Sequence, residues 1–195
     1  MKPHMTFKTS MVLTTLALSC FSQSAMAQGN LVVNGGFDTD TSGWTITNTS
    51  AGGGYNSAIG NPPGSVRLYN PTSPNVPTAS QIINGLTLGD LYIVSGNYLG
   101  GGKDVTDNSF GVALDGVFLF ETAAPADFNW HSFSFDYTAT STSALLSLSA
   151  QINGTDDSYF IDNISMEAVP EPNSLCLVGV GGIMSTMFFK NRRKI

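Results

Sequence analysis

Between residues 30 and 168 the chain consists of short apolar runs separated by clusters of Gly, Asn, Asp and Pro. In "WHSFSFDY", Phe133, Phe135 and Tyr137 alternate with Ser132, Ser134 and Asp136. In "SALLSLSAQI", Leu146, Leu148, Ala150 and Ile152 share one face. A period of two is the mark of a strand with one buried side. No window sustains a period of 3.6, so no amphipathic helix is expected here. Strands are predicted near 31–33, 44–48, 65–70, 79–84, 91–98, 109–114, 117–121, 130–137, 143–151 and 158–167. Asp115-Gly116, between "SFGVAL" and "VFLFE", is the strongest hairpin signal, because a two-residue type I′ turn needs positive φ at both positions. A strand with one apolar face needs a second sheet to cover it. The pattern therefore predicts an all-β fold, an antiparallel β-sandwich or jelly roll, over residues 28–168. Two glycine-rich connections, 49–64 and 99–108, are long, and binding residues are expected on such loops.

The two ends follow other rules. Lys2 and Lys8 precede the apolar run Met11–Phe21, and Ala25-Met26-Ala27 is an A-x-A cleavage pattern. Residues 1–27 read as a signal peptide, with signal peptidase cutting between Ala27 and Gln28. A lipoprotein signal ending at Cys20 is the other reading of the same stretch. At the far end, Leu175–Phe189 is mostly apolar and would be about 22 Å long as a helix at ~1.5 Å per residue. A bilayer core is ~30 Å thick, so this helix spans it only with help from Ser174 and the stem of Lys190. Lys190, Arg192, Arg193 and Lys194 follow, which predicts a cytoplasmic C-terminus on an exported domain.

Charge sharpens this picture. Only 11 % of the 195 residues are charged. From Gln28 to Ala168 there are 13 acidic residues against two basic ones, Arg67 and Lys103, a net charge of −11. Such a surface repels nucleic-acid phosphates and anionic lipids, and suits neutral ligands or divalent cations. The two cysteines, Cys20 and Cys176, both lie outside this stretch. The domain therefore holds by packing alone, with no disulfide and no thiolate chemistry.

The motifs of catalysis are missing. There is no G-x-S-x-G, no H-E-x-x-H and no phosphate loop, and the stretch has a single histidine, His131. Asp156-Asp157 and the pair Asp104 and Asp107 are the remaining acid pairs, and adjacent loop carboxylates read as solvated charges or cation ligands. A non-enzymatic protein is expected. "DTDTSG" at 38–43 matches the first half of an EF-hand loop, but position 12 would be Thr49 and no flanking helix is expected, so that reading is set aside. Among aromatic residues that would stack on a sugar, Trp44 reads as core. Tyr55, in a glycine-rich loop, and Trp130, out of phase with Phe133 and Phe135, are the candidate ligand-binding residues.

Val169-Pro170-Glu171-Pro172, the apolar run and Asn191-Arg192-Arg193-Lys194 resemble, in this order, a PEP-CTERM sorting signal. The resemblance covers residues 169–195. It implies an exosortase, a bacterial membrane protease that cuts near the Pro-Glu-Pro. It also implies an exported, cell-surface or extracellular protein held for a time in the inner membrane of a Gram-negative-type bacterium. Residues 28–168 resemble the carbohydrate-binding, galactose-binding-like jelly rolls. "NLVVNGGFDTDTSGWTI" looks like their opening strand and turn, "SQIINGLTLGDLYIVSGNY" and "WHSFSFDYTATSTSALLSLSAQ" follow in order, and "YFIDNISMEAVPEP" closes the domain. That resemblance implies a structural calcium between Asp38 and Asp162. The function it implies is non-catalytic association with exopolysaccharide in a biofilm matrix. The alternative is a structural adhesion protein that self-associates through calcium and has no discrete sugar site.

Overall fold

The structure, a computed structural model, describes residues 29–70, 75–101, 108–123, 127–152 and 157–170. All of them but Pro170 fall in one compact unit, Ala27–Val169. The expected signal peptide 1–27, the apolar helix 175–189 and the sorting residues Ala27, Gln28, Glu171, Pro172, Lys190, Arg192, Arg193 and Lys194 lie outside the described residues. Pro170 is described and is exposed just after the last strand. Among the described residues no helix is long and apolar enough to cross a membrane.

Ten strands form: β1 (Thr45–Thr47), β2 (Gly54–Asn56), β3 (Ser65–Leu68), β4 (Thr78–Asn84), β5 (Leu91–Gly101), β6 (Ser109–Leu114), β7 (Val117–Ala123), β8 (His131–Thr138), β9 (Ser143–Gln151) and β10 (Ser158–Ala168). They build two five-stranded sheets, ordered β1-β4-β9-β6-β7 and β2-β3-β10-β5-β8. Every pairing is antiparallel. The all-β sandwich expected from the alternation is the fold observed.

The alternating residues meet between the sheets. Leu146, Leu148, Ala150 and Ile152 are buried, and Phe133 with them. Phe110 of one sheet stacks on Tyr98 and Tyr159 of the other at 5.1 and 5.8 Å between ring centroids. Each fully buried large apolar side chain stabilises the fold by about 1.5–3 kcal/mol, which is how a domain without disulfides holds. Trp44 is core, as its position after Gly43 suggests; it packs at 5.3 Å on Phe37 and its indole N–H donates to the carbonyls of Val33 and Asn34. Asp115 and Gly116 both have positive φ and turn the β6–β7 hairpin.

Two expectations need correction. Leu31–Val33 is not a strand. Its backbone donors are taken by side chains instead: Val32 N–H donates to Asn30 Oδ1 and Val33 N–H to Gln81 Oε1. Only Leu31 N–H reaches a neighbouring main chain, at Met166 O, so no ladder propagates. Conversely, Gly54–Asn56 inside the expected loop 49–64 pairs with β3 as an edge strand.

The topology sorts the connections by end. The connections β2–β3, β4–β5, β6–β7 and β8–β9 lie at one end. The connections β1–β2, β3–β4, β5–β6, β7–β8 and β9–β10 all leave the other, as the antiparallel registers require. Five of the nine connections therefore leave one end of the sandwich, the end at which β8 begins.

Candidate functional site

At that end β8 begins after the sequence Asp127-Phe128-Asn129-Trp130. Phe128 has positive φ (53°) and is 59 % exposed, so its ring stands out from the protein. Trp130 is half-buried. His131, the first residue of β8, stacks on Tyr98 at 5.6 Å and lies 3.0 Å from the Asp127 carboxylate through Nε2. Its ring thus points inward, on the same side as buried Tyr98. The hydrogen bond from His131, with one from the Asn129 backbone N–H, holds the Asp127 carboxyl down at about 2. The result is one exposed ring, one half-exposed indole and a fixed carboxylate on five consecutive residues.

The other candidates lie elsewhere. Tyr55 sits in β2, at the opposite edge of the same sheet from β8, so the two aromatic candidates, Tyr55 and Trp130, do not form one platform. Tyr55 is 39 % exposed, and its hydroxyl donates to the Asp38 carbonyl at 3.0 Å. That bond brings Tyr55 to the acidic pair. Asp162 is fully buried at the bulge of β10; its two oxygens accept from Asn61 N–H at 2.6 Å and Asn163 N–H at 2.7 Å. Burial pushes the Asp162 carboxyl above its ordinary value, the two backbone donors oppose this, and the charge of Asp38 adds to the rise. Asp38 itself is exposed. The structure therefore joins Asp38, Asp162 and Tyr55 and leaves Trp130 apart.

The donors around Asp162 fit a hard cation in kind: two carboxylates that repel each other, one of them buried, and main-chain carbonyls beside them. Among the described residues there is no group of three or more His, Cys, Asp or Glu, so a cation here would draw the rest of its ligands from backbone oxygens.

Phe128 was not among the residues singled out from sequence. Phenylalanine in a chain of buried phenylalanines reads as core. The available signal was its place between Asp127 and Asn129, both residues of turns.

No protein-family model matches the chain, and no curated protein matches it. Solved structures do. The chain is similar to TmCBM61, solved in complex with β-1,4-galactotriose, at 17 % identity and a TM-score of 0.57, over 71 % of this chain and 98 % of that one. It is similar to the Clostridium thermocellum xylanase 10B CBM22-1–GH10 modules complexed with xylohexaose, at 18 % identity and a TM-score of 0.54, over 74 % of this chain and 29 % of that one. It is also similar to the enzymatically active domain of the bacteriophage CBA120 tailspike protein 4, at 15 % identity and a TM-score of 0.53, over 72 % of this chain and 21 % of that one. The chain has the fold of carbohydrate-binding modules. It spans nearly all of the first structure and under a third of the other two.

Proposed function

We propose that the protein is a non-catalytic, exported carbohydrate-binding protein of the cell surface or extracellular matrix. The observation that carries this reading is the exposed Phe128 beside the half-buried Trp130, on a sandwich with the fold of carbohydrate-binding modules. Aromatic faces stack on the apolar faces of sugars, while Asp127 and the loop backbone supply hydrogen bonds to hydroxyls. A neutral or sparsely charged polysaccharide suits a domain with a net charge of −11. Signal peptidase removes residues 1–27, and exosortase acts at Pro170-Glu171-Pro172 while 175–189 and the basic tail hold the chain in the inner membrane. The order of those motifs in the sequence supports this route.

Calcium bound by Asp38 and Asp162 has a structural part in this account. It would offset the repulsion between the two carboxylates and tie the turn after Asn34 to the last strand. The same pair favours the second reading, a matrix protein that self-associates through calcium without a sugar site.

Affinity electrophoresis of the full chain through gels containing neutral β-linked galactan, xylan or glucan separates the two readings. Retardation of the wild type that is lost in a Phe128→Ala/Trp130→Ala variant is expected. Calcium-dependent self-association with no retardation in any gel would favour the second reading instead.

A further inference from the structure

Arg67 is the only Lys or Arg among the described residues, and it has no acidic partner among them. In a domain this acidic, a lone guanidinium without a carboxylate is unexpected. It lies on the outer face of the second sheet, where Phe160 pairs with it on one side and Gly54 on the other. Its Cζ is 4.5 Å from the Tyr69 ring centroid and 5.6 Å from that of Phe160. Two aromatic faces hold the guanidinium flat and fix its direction.

Its hydrogen bonding is incomplete. Nη1 donates to the Gly52 carbonyl at 3.1 Å, and buried Nε has no acceptor. Nε is closed to solvent, so a ligand from outside would meet the guanidinium through its Nη groups. Glycines lie beside it. A Cβ at Gly54 would meet nothing within 4 Å, and one at Gly52 would come 3.4 Å from Nη1. A side chain at Gly52 would crowd the cation.

The position also connects to the aromatic site. Phe160 pairs with Leu99 on its far side, and Leu99 and Trp130 each adjoin one member of the Tyr98–His131 pair that ends the β5–β8 ladder. Arg67, Phe160 and Leu99 therefore form one row across the sheet, running from the cation toward the strand that Trp130 precedes.

We propose that Arg67 recognises the carboxylate of an acidic sugar, and that the ligand is a heteropolysaccharide in which uronic acids are spaced among neutral sugars. This rests on the carbohydrate-binding reading and names the substrate class. Arginine meets a carboxylate through two parallel N–H donors, a geometry lysine lacks. Spacing of the acids matters because a domain at −11 repels a polymer charged at every unit, while a single fixed cation still makes a short-range contact.

The test compares glucuronoxylan and other sparsely uronylated polysaccharides, each before and after reduction of its carboxyl groups to alcohols, by affinity electrophoresis with the full chain. For at least one pair the intact polymer should bind about tenfold tighter than the reduced one, the size of one charge-assisted contact. Arg67→Gln should bind both forms at the weaker level, and Arg67→Lys should fall between. If no pair separates while neutral polysaccharides still bind, the role of Arg67 is overturned and the carbohydrate-binding reading stands. If no polysaccharide binds at all, both are overturned. The comparison of intact with reduced polymer uses only the wild type, so recognition of the carboxylate is tested even if a variant fails to fold.

Discussion

Gly35→Ala should damage the domain more than any surface change of its size. Gly35 lies where the first described segment crosses the bulge of β10. Its carbonyl accepts Ile164 N–H at 2.9 Å, while Leu31 N–H donates to Met166 O at 2.9 Å and Asn30 Oδ1 accepts Met166 N–H at 2.9 Å. A Cβ on Gly35 would sit 2.9 Å from the Ile164 carbonyl carbon and closer still to its oxygen, whereas ordinary contact begins at 3.4 Å. Those atoms are backbone in a central strand and cannot turn aside. The segment would have to lift, breaking the Gly35–Ile164 bond and straining the Asn30 clamp. Leaving one or two buried backbone groups unpaired costs about 1–3 kcal/mol each, so a loss of about 2–5 kcal/mol is expected. Against a typical total of about 5–15 kcal/mol that is a large fraction. It corresponds to a fall in Tm on the order of 10 °C for a domain of this size. Guanidinium unfolding followed by the fluorescence of Trp44, which packs on Phe37 in the same segment, measures it directly. A variant within about 0.5 kcal/mol of wild type, the range of an ordinary surface substitution, would refute the reasoning.

Other outcomes follow from the charged groups and the chain ends. Asp162 is raised in the folded state, so its contribution to stability is fully present below the ordinary value of 3.8 and is lost as pH rises through its raised value. Calcium should therefore raise Tm at pH 7, by an amount equivalent to about 2.7 kcal/mol at one hundred times its Kd, and much less at pH near 4. A calcium response that survives in Asp38→Ala and Asp162→Ala would place the ion elsewhere. Asp127 is held at about 2, below its ordinary 3.8, so the contribution of its pair with His131 is present above 3.8 and fades as pH falls through about 2. Carboxyl NMR titration should show Asp127 as a low-titrating group, and an ordinary value would mean that the pair does not form. The intact mass of the protein from its native host should correspond to a chain that starts at Gln28 and ends near Pro170–Pro172. A mass that retains Lys190–Ile195 with or without exosortase would make the tail a permanent anchor.

The strands were legible where side chains alternate, because a half-buried strand imposes a period of two. β8 and β9 are of this kind, and so is the hairpin at Asp115-Gly116, whose turn chemistry is local. β2 was not legible. Its three residues, Gly54, Tyr55 and Asn56, carry no alternation, and they are strand only because β3 lies alongside. Leu31–Val33 misled for the reverse reason: an apolar run was present, but Asn30 and Gln81 took the donors that a ladder needs. Strand order was beyond reach as well. Pairings such as β4 with β9 and β3 with β10 join distant residues, and nothing local specifies them. For the site, sequence placed Asp38 and Asp162 in one neighbourhood only through a family resemblance. Trp130 was singled out from its phase against Phe133 and is half-buried in the structure, whereas Phe128, exposed at a positive φ, carries no such signal in composition.

The central claim is that the loop end of the sandwich binds sugar. The most direct test is NMR titration of the isotopically labelled chain with galactan- and xylan-derived oligosaccharides. Shift changes confined to Tyr98, Leu99 and Asp127–His131 are expected, saturating with ligand concentration. The absence of any shift change, or changes centred on the Asp115-Gly116 hairpin at the opposite end, would contradict it.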